Sequence, residues 1–279
     1  MGMADALQEI LRVSSNNAMV TLQRLQEEVQ LLSEMIALHR WLVEIGPTEP
    51  GSRREKAVRD LCVYAAFAYT AAVKAAIECQ SFSLPALERL AIDCLLHAAR
   101  IAVSEEAEQV WSDRHAEFYA RVKADAETAG IDEFMALDTG GRRATQSQFQ
   151  RSRLEAAVRE ILEEAPNQNG TAAAVMRFYT MAIDLGAHPN VLMTISNADA
   201  NAVPGDPAKR AMVHRMMHGD VERVRAEAHV LLQLGVVLSH LIIALLPFAD
   251  EKREATGRLH AFRDRSVGLV RTASCNEPR

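Results

Sequence analysis

Residues 177–189, RFYTMAIDLGAHP, combine side chains that could do acid–base chemistry with the features of a helix end. Asp184 and His188 are four residues apart, which is about one helical turn. A carboxylate so placed can raise the pKa of a histidine and fix its tautomer, as a general acid or base requires. Gly186 and Pro189, however, are residue types that stop a helix, and a histidine suits the helix C-terminus. We favour the helix-end interpretation and keep a catalytic His188 as the alternative.

A second pair of histidines has a spacing suited to metal binding. His214 and His218 lie one turn apart in HRMMH, and Glu222 follows one turn later. Two histidines at this spacing can share a metal ion, but a site needs a third ligand, for which Glu222 and His229 are nearby in sequence. No HExxH motif supplies a catalytic glutamate. We favour exposed polar residues near a helix end, and we predict neither a bound metal nor a cofactor.

Positive charge is concentrated in residues 140–159, where five arginines stand against one glutamate. Such a segment could contact the phosphate groups of RNA. Single-stranded nucleic-acid sites usually add interleaved aromatic side chains, and Phe149 is the only one in this segment. A solvated linker accounts for these arginines equally well. The net charge of −6 gives the chain as a whole no attraction to nucleic acid.

The elements that carry these residues are all predicted to be helices. Hydrophobic residues make up 49% of the 279 residues and aromatic residues only 5%, with alanine and leucine dominating the apolar set. That composition favours helices over strands, and no segment shows sustained alternation of apolar and polar residues. The predicted helices cover 3–45 (with a weak point at the SSNN of 14–17), 54–80, 84–103, 104–128, 148–164, 171–186, 207–218, 220–247 and 249–272. The chain is therefore predicted to be an all-α, single-domain bundle of eight or nine helices.

The N-terminal segment, residues 1–52, is predicted to pack on the core or on a partner, with 53–272 as the bundle core and 273–279 as a loose tail. Its clearest feature is a seam of apolar residues at alternating spacings of three and four: Leu22, Leu25, Val29, Leu32 and Ile36. Such a seam packs on another helix, in the same chain or in a second one. We therefore expect a homodimer that forms through the N-terminal helix.

One segment raises the question of a membrane. Residues 230–248 carry no charged side chain and are long enough to span a bilayer. Gln233, Ser239 and His240 inside this run, and the absence of a flanking basic cluster, favour a core helix instead. The four cysteines form no CxxC pair, and the N-terminus lacks the basic start of a signal peptide. We expect a cytoplasmic protein that does not contact a membrane.

Two stretches carry a resemblance to a known family. The helix LERLAIDCLLHAARI (87–101) contains Arg89 followed four residues later by Asp93, and the later FYTMAIDLGAHPN contains two aromatic residues and then His188. In the order and spacing of its elements, the region 60–245 resembles a bacterial family of helical proteins that has no established activity. That family is distantly related to HEPN (higher eukaryotes and prokaryotes nucleotide-binding) domains. It has an arginine with an acid four residues on, then aromatic residues, a serine, and a histidine four residues after the serine.

Residue by residue, the resemblance assigns the aromatic positions of the family to Phe178 and Tyr179 and its histidine to His188. Asp184 stands where the family has serine, and Asp93 is shorter than the usual glutamate. The resemblance implies a helical fold. Through the more distant relation it also implies a HEPN-type ribonuclease, which needs no metal.

HEPN ribonucleases, by the same resemblance, use an arginine followed after four to six residues by a histidine, so that one helix presents both to an RNA phosphate. Arg223 with His229 and Arg253 with His260 fit that spacing. In a chain this rich in arginine, two such pairs are no more than chance supplies. Val224 also stands where the nuclease motif prefers a polar residue. These pairs therefore add nothing to the nuclease hypothesis.

The sequence contains no complete catalytic constellation, so it favours a non-catalytic scaffold or protein-interaction module. The alternative is a metal-independent, HEPN-like ribonuclease or nucleotide-binding protein that uses Arg89, Asp93, Asp184 and His188, and RNA is a partner only in that alternative. The two hypotheses predict different structures. In the enzyme, the four side chains converge in one solvent-open cleft. In the scaffold, Arg89 and Asp93 form a buried structural pair while His188 faces water alone.

Overall fold

The computed structural model describes residues 3–45, 51–80, 83–114, 147–166, 168–184 and 221–275, with side chains from residue 12 and, in the last range, over 223–266. The regular structure of these residues is helical and includes no strand, which confirms the predicted all-α fold. The described part of the chain forms nine helices: α1 Met3–Arg24, α2 Gln26–Glu44, α3 Arg53–Ile77, α4 Leu84–Val103, α5 over 105–114, α6 Arg151–Ile161, α7 Thr171–Ala182, α8 Val221–Leu245 and α9 Ala249–Cys275.

The first helix does not weaken at residues 14–17, where the sequence predicts that it should. Ser14 donates a hydrogen bond to Glu78 Oε2 at 2.8 Å, and Asn17 is buried. Polar side chains that are held by distant residues do not compete for the backbone of their own helix, so the helix continues. The break falls at Leu25 instead, where φ is −122° and ψ is 43°.

The other boundaries follow local signals more closely. α3 begins with a capping box, in which Ser52 Oγ accepts a hydrogen bond from Glu55 N and Glu55 Oε2 accepts one from Ser52 N. α6 is shorter than the predicted helix at 148–164. The predicted helix at 207–218 and the second half of 104–128 lie outside the described residues.

The predicted apolar seam of the N-terminal segment is buried mainly inside the chain itself. Leu25 and Leu32 are fully buried, Val29 and Ile36 are half-buried, and only Leu22 is largely exposed. α2, which contains Val29, Leu32 and Ile36, packs against α3, α8 and α9. A homodimer through this helix stays a prediction, but the seam no longer needs a partner to bury it.

The buried face of α2 also includes two polar residues, and both bind α8. Glu28 accepts a hydrogen bond from Arg225 Nε at 3.1 Å. His39 Nε2 lies 2.9 Å from Ser239 Oγ and 3.1 Å from Gly235 O. Because the two contacts advance in the same direction along both helices, α2 and α8 run parallel.

Gly235 marks the point where α2 and α3 approach α8 most tightly. A Cβ atom at this position would lie 2.6 Å from Met35 Cγ and 2.6 Å from the Tyr69 hydroxyl oxygen. That hydroxyl donates to Leu231 O at 2.9 Å, and the Tyr69 ring meets the His39 ring edge to face, with centroids 4.7 Å apart. α2, α3 and α8 are thus packed against one another at Gly235, a residue without a side chain.

The remaining helices surround this centre. α3 and α4 form a hairpin, α6 and α7 pack on α4, and α9 runs back along α2. On α9, the Arg258 guanidinium carbon lies 3.9 Å from the centroid of the Trp41 ring, and Arg265 contacts Glu34 at 2.8 Å. Buried residues of α2, α3, α4, α6, α7, α8 and α9 form one contiguous hydrophobic cluster.

Two helices, α3 and α8, are long and apolar enough to cross a membrane by length and composition alone. More than half of the most apolar window of each helix is buried against the rest of the chain. The core helix of a soluble protein has the same character. Composition is therefore weak evidence for a membrane span in this chain.

Substitution Gly235→Ala should lower the free energy of unfolding by about 1–3 kcal/mol, because the added methyl group overlaps Met35 and Tyr69. Gly257→Ala on α9 is the matched control, since no atom lies within 4 Å of its added Cβ. The control should be neutral or stabilising by about 0.5–1 kcal/mol. Urea denaturation of both variants measures the difference, and equal stabilities would contradict the tight approach at Gly235.

Stability should also fall in acid because of His39. Burial lowers the pKa of His39 to about 4, although its hydrogen bond with Gly235 O works against this. The stabilising contribution is present above about 6.5, the ordinary pKa, and is lost as pH falls towards 4, since the unfolded chain takes up the proton first.

The double variant His39→Leu/Ser239→Ala removes the titrating group and its hydroxyl partner together. Between pH 7 and pH 4.5 it should lose about 2–3 kcal/mol less stability than the wild type. Ser239→Ala alone leaves His39 buried and should keep the wild-type pH dependence. Urea titrations at the two pH values give the comparison, and parallel slopes for all three proteins would exclude His39 as the cause.

Candidate functional site

Arg89 and Asp93, the first predicted site pair, lie on one face of α4 and form an ion pair. Arg89 Nε is 3.3 Å from Asp93 Oδ2, as the spacing of four residues allows. Their side chains are 24% and 29% exposed. The pair is therefore neither sealed in the core nor fully solvated, and lies between the two arrangements that the scaffold and enzyme hypotheses predict.

α7 brings one of the predicted aromatic residues to this pair. The guanidinium carbon of Arg89 lies 5.9 Å from the centroid of the Tyr179 ring. This is close to the outer limit of a cation–π contact, about 6 Å. The two stretches that carry the family resemblance thus belong to helices that pack on each other.

The other two predicted site residues are not brought to the pair by any described contact. Asp184 is exposed in a π-helical turn (183–184) that continues α7 beyond Ala182, and the predicted helix end at 186 lies outside the described residues. His188 lies outside the described residues. Among the residues that the structure describes, Arg89, Asp93 and Tyr179 form a partial cluster.

Glu88, the residue before Arg89 on α4, interacts electrostatically with Glu227 on α8. The sequence analysis did not predict this interaction. The pKa of Glu88 is raised to about 7, chiefly by burial and secondly by the carboxylate of Glu227 on α8. Glu227 Oε1 accepts a hydrogen bond from Arg223 Nε at 3.0 Å. Its Oε2 is buried and has no hydrogen-bond partner in the described part of the chain. Burial between helices thus brings the pKa of Glu88 close to physiological pH.

A carboxyl group that titrates near neutrality can act as a general acid or base, because it can hold or release a proton at physiological pH. Catalysis needs more than this, since a nucleophile, a second acid–base group or a metal must meet it. Within the ranges that the structure describes, no three His, Cys, Asp or Glu side chains are grouped to hold a metal ion. Glu88 can titrate near neutral pH, but its described contacts do not form a catalytic site.

The sequence did contain a signal for Glu88. Leu84, Ile92 and Leu95 are buried, and Glu88 stands four residues from the first two on the same face of α4. A carboxylate inside an apolar stripe at helical spacing is expected to lie in the core with a raised pKa. The sequence analysis instead selects the neighbouring Arg89–Asp93 pair, because that pair resembles a family motif.

The predicted metal candidates fall mostly outside the described residues. His214 and His218 lie there, and so does the side chain of Glu222. His229 is half-buried on α8, and its Nε2 is buried without a hydrogen-bond partner among the described residues. No described contact brings a further metal ligand to it.

In each of the two arginine–histidine pairs at nuclease spacing, the arginine forms an ion pair with a carboxylate of its own helix. Arg223 binds Glu227, and Arg253 donates to Asp250 at 2.6 Å. His260 is exposed on α9. Both arginines are thus engaged by carboxylates on their own helices.

The arginine-rich segment 140–159 is partly structural. Arg151 donates to Thr180 Oγ1 at 2.9 Å, which joins α6 to α7. Arg159 donates to Glu155 Oε1 and to two backbone carbonyl oxygens beyond the end of α6. Arg153 donates to Gln148 Oε1 at 2.9 Å. These three side chains stabilise the fold locally, and the other two arginines of the segment lie outside the described residues.

His97 is half-buried and packs against aromatic side chains. Its ring packs edge to face against Phe149 and Trp111, with centroids 4.6 and 5.6 Å away. Burial lowers its pKa to about 4, so the ring is neutral at physiological pH. Its role in the described structure is to fill the space between α4 and α5.

Comparisons with family models, curated proteins and solved structures find no match to this chain. The partial cluster on α4 and α7 and the resemblance to HEPN-related proteins are consequently weighed on the residues themselves.

Substitution Glu88→Gln should change how stability depends on pH. A carboxyl group with a raised pKa stabilises the fold fully below its ordinary pKa of 4.5, and this contribution is lost as pH rises through about 7. The variant should therefore gain roughly 1–3 kcal/mol relative to the wild type between pH 4.5 and pH 8.

Glu227→Gln is the matched control, because it removes the smaller cause of the shift and leaves Glu88 buried. It should keep most of the wild-type pH dependence. The measurement is the urea midpoint at several pH values. A Glu88→Gln profile that runs parallel to the wild type would show that Glu88 is already ionised in the folded state.

Proposed function

We propose that this chain is a non-catalytic helical interaction protein that acts in the cytosol and self-associates through the outward face of α3. The observation that carries this proposal is a pair of large aromatic side chains on that face. Tyr64 is 64% exposed and Phe67 is 69% exposed, and they are one turn apart. Neighbouring aromatic residues exposed on one helix are typical of protein interfaces, where they act as anchors.

These aromatics belong to a continuous stripe, which we name the α3 stripe: Asp60, Tyr64, Phe67, Ala71 and Lys74. All five residues are exposed, and they follow one another at spacings of four, three, four and three. That periodicity is the one by which two helices pack along their length. The opposite face of α3 is buried in the bundle, so the stripe is turned away from the core.

The charges of the α3 stripe are complementary to themselves. Asp60 lies seven residues before Phe67, and Lys74 lies seven residues after it. A two-fold axis beside Phe67 would pair α3 antiparallel with a second copy and set each Asp60 against the Lys74 of the other chain. Interfaces between identical subunits have this property, because every contact occurs twice. Self-complementarity therefore supports a second copy of the chain as the occupant.

The proposal moves the dimer surface from the N-terminal seam to α3. The seam residues Leu25 and Leu32 already pack inside the chain, whereas Tyr64 and Phe67 of the α3 stripe are exposed among the residues that the structure describes. A surface that remains exposed after folding is the better candidate for association.

The double variant Tyr64→Ser/Phe67→Ser should weaken self-association at least about tenfold, because it removes both anchors. Phe248→Ser, which changes an exposed aromatic residue outside the α3 stripe, should leave association unchanged. Sedimentation velocity across a concentration series gives the dissociation constants. A wild type that is monomeric at all concentrations would exclude the homodimer.

Charge reversal tests the antiparallel register. Asp60→Lys and Lys74→Glu should each weaken the dimer, since each places like charges opposite one another. The protein that carries both changes should recover, because the pairs are restored in reverse. If the double variant is no better than the single ones, the aromatics meet a partner in a different register.

The ribonuclease alternative is tested on the same samples. A non-catalytic protein should leave single-stranded RNA intact in the presence of EDTA. Cleavage that is lost on Arg89→Ala and on His188→Ala would replace our proposal with the HEPN-like enzyme. Because Arg89 is half-buried, both variants need a circular dichroism melt to show that they are folded.

A further inference from the structure

Two arginine side chains from different helices meet on one neutral oxygen atom. Arg100 on α4 donates from Nη2 to Gln148 Oε1 at 2.8 Å, and Arg153 on α6 donates from Nη1 to the same oxygen at 2.9 Å. Arg100 Nε also donates to Gln148 O at 3.2 Å. Gln148 is buried, so the two guanidinium groups lie side by side against an amide that carries no charge. We name these two residues the Arg100–Arg153 pair.

The positive charges of the Arg100–Arg153 pair are not neutralised by a carboxylate in the described part of the chain. There, Gln148 is the partner in every hydrogen bond or ion pair that the two side chains make. Glu155, two residues after Arg153 on α6, binds Arg159 instead. A guanidinium group has five N–H donors, of which Arg100 gives two to Gln148 and Arg153 gives one. The pair therefore has both unbalanced charge and donors to spare.

Two cations that share one neutral acceptor repel each other, and burial reduces the screening of that repulsion by solvent. Arg100 is half-buried, whereas Arg153 is exposed. The pair thus combines a weakly screened charge with an opening to solvent, through which an anion can reach it. An oxyanion that accepted hydrogen bonds from both groups would replace the repulsion with two charge-assisted contacts.

The amino end of α6 lies beside the same two side chains. α6 begins at Arg151, and its N-cap residue, Gln150, makes no side-chain hydrogen bond to the helix. Arg153, in the first turn, folds back to Gln148, which precedes the helix. The first backbone N–H groups of a helix have no partner within it and favour a negative charge. This helix end therefore adds to the attraction that the two guanidinium groups already exert.

We propose that the Arg100–Arg153 pair binds the terminal phosphate of a small phosphate monoester. Such a phosphate carries a charge of about −1.5 to −2 at neutral pH and has three acceptor oxygens, so it balances two guanidinium groups and can bind both. A phosphodiester has one charge, and the net charge of −6 of the chain opposes a long polyanion. The site lies on α4 and α6, so it does not rest on the α3 stripe or on the proposed dimer.

The test is calorimetric titration of the full chain with phenyl phosphate at about pH 7.5, in a buffer free of phosphate. We expect a dissociation constant below about 1 mM. Arg100→Gln and Arg153→Gln should each weaken binding at least about tenfold. Arg151→Gln is the matched control, because it removes the same charge from the same turn of α6 but from a side chain that binds Thr180 on α7. It should change the affinity by less than about twofold.

Substitution Gln148→Glu supplies an anion from within the chain. The new carboxylate would accept hydrogen bonds from both guanidinium groups and balance their charge. This variant should therefore bind phenyl phosphate at least about tenfold more weakly than the wild type, and it should unfold at a higher temperature. Saturating phenyl phosphate should raise the unfolding temperature of the wild type and leave that of the variant unchanged.

Circular dichroism shows which variants are folded, and the exposed Arg153 keeps the test valid if Arg100→Gln does not fold. Absence of phenyl phosphate binding to the wild type would overturn the proposal. An equal loss of affinity in Arg151→Gln would do the same, because diffuse positive charge would then explain the binding. Binding of inorganic phosphate alone, or of single-stranded RNA without a terminal phosphate as tightly as phenyl phosphate, would overturn the monoester.

Discussion

The close approach of α2 and α3 to α8 at Gly235 is the constraint on which the rest of the bundle depends. Because a Cβ atom has no room there, the three backbones and the rings of His39 and Tyr69 occupy one small volume. The Tyr69 hydroxyl donates to Leu231 O on α8, and His39 Nε2 lies within hydrogen-bond distance of Gly235 O and Ser239 Oγ on the same helix. Hydrogen bonds in a dry core are directional, so they fix the axial position of helices that apolar contacts alone would leave free to slide.

The helix content of this chain could be predicted from composition and periodicity, because each helix has a broad apolar face that must be buried. The packing partner of α2 could not be. The predicted seam counted only apolar residues, whereas the buried face runs through Glu28 and His39, which pair with α8. Whether a polar residue in an apolar stripe is buried can be predicted only when its partner is known. Here both partners lie about two hundred residues away in the sequence.

The candidate site shows the same limit. Arg89 and Asp93 were predictable as a pair from their spacing within one helix. The resemblance assigned Tyr179 to an aromatic position but did not predict its contact with Arg89. The electrostatic effect of Glu227 on Glu88 was not predicted either, because it depends on how α4 packs against α8. The cavity of about 480 Å³ at one end of the bundle is lined by residues from four separate segments, so no local sequence pattern predicts it.

Polar interactions along α8 give the buried Glu88 carboxyl group a structural explanation. Along this helix, Arg225 binds Glu28 on α2, the charge of Glu227 raises the pKa of Glu88 on α4, and Ser239 binds His39 on α2. Each contact costs desolvation, yet together they specify which neighbour lies at which height. On this view the raised pKa of Glu88 is a consequence of packing α4 onto α8.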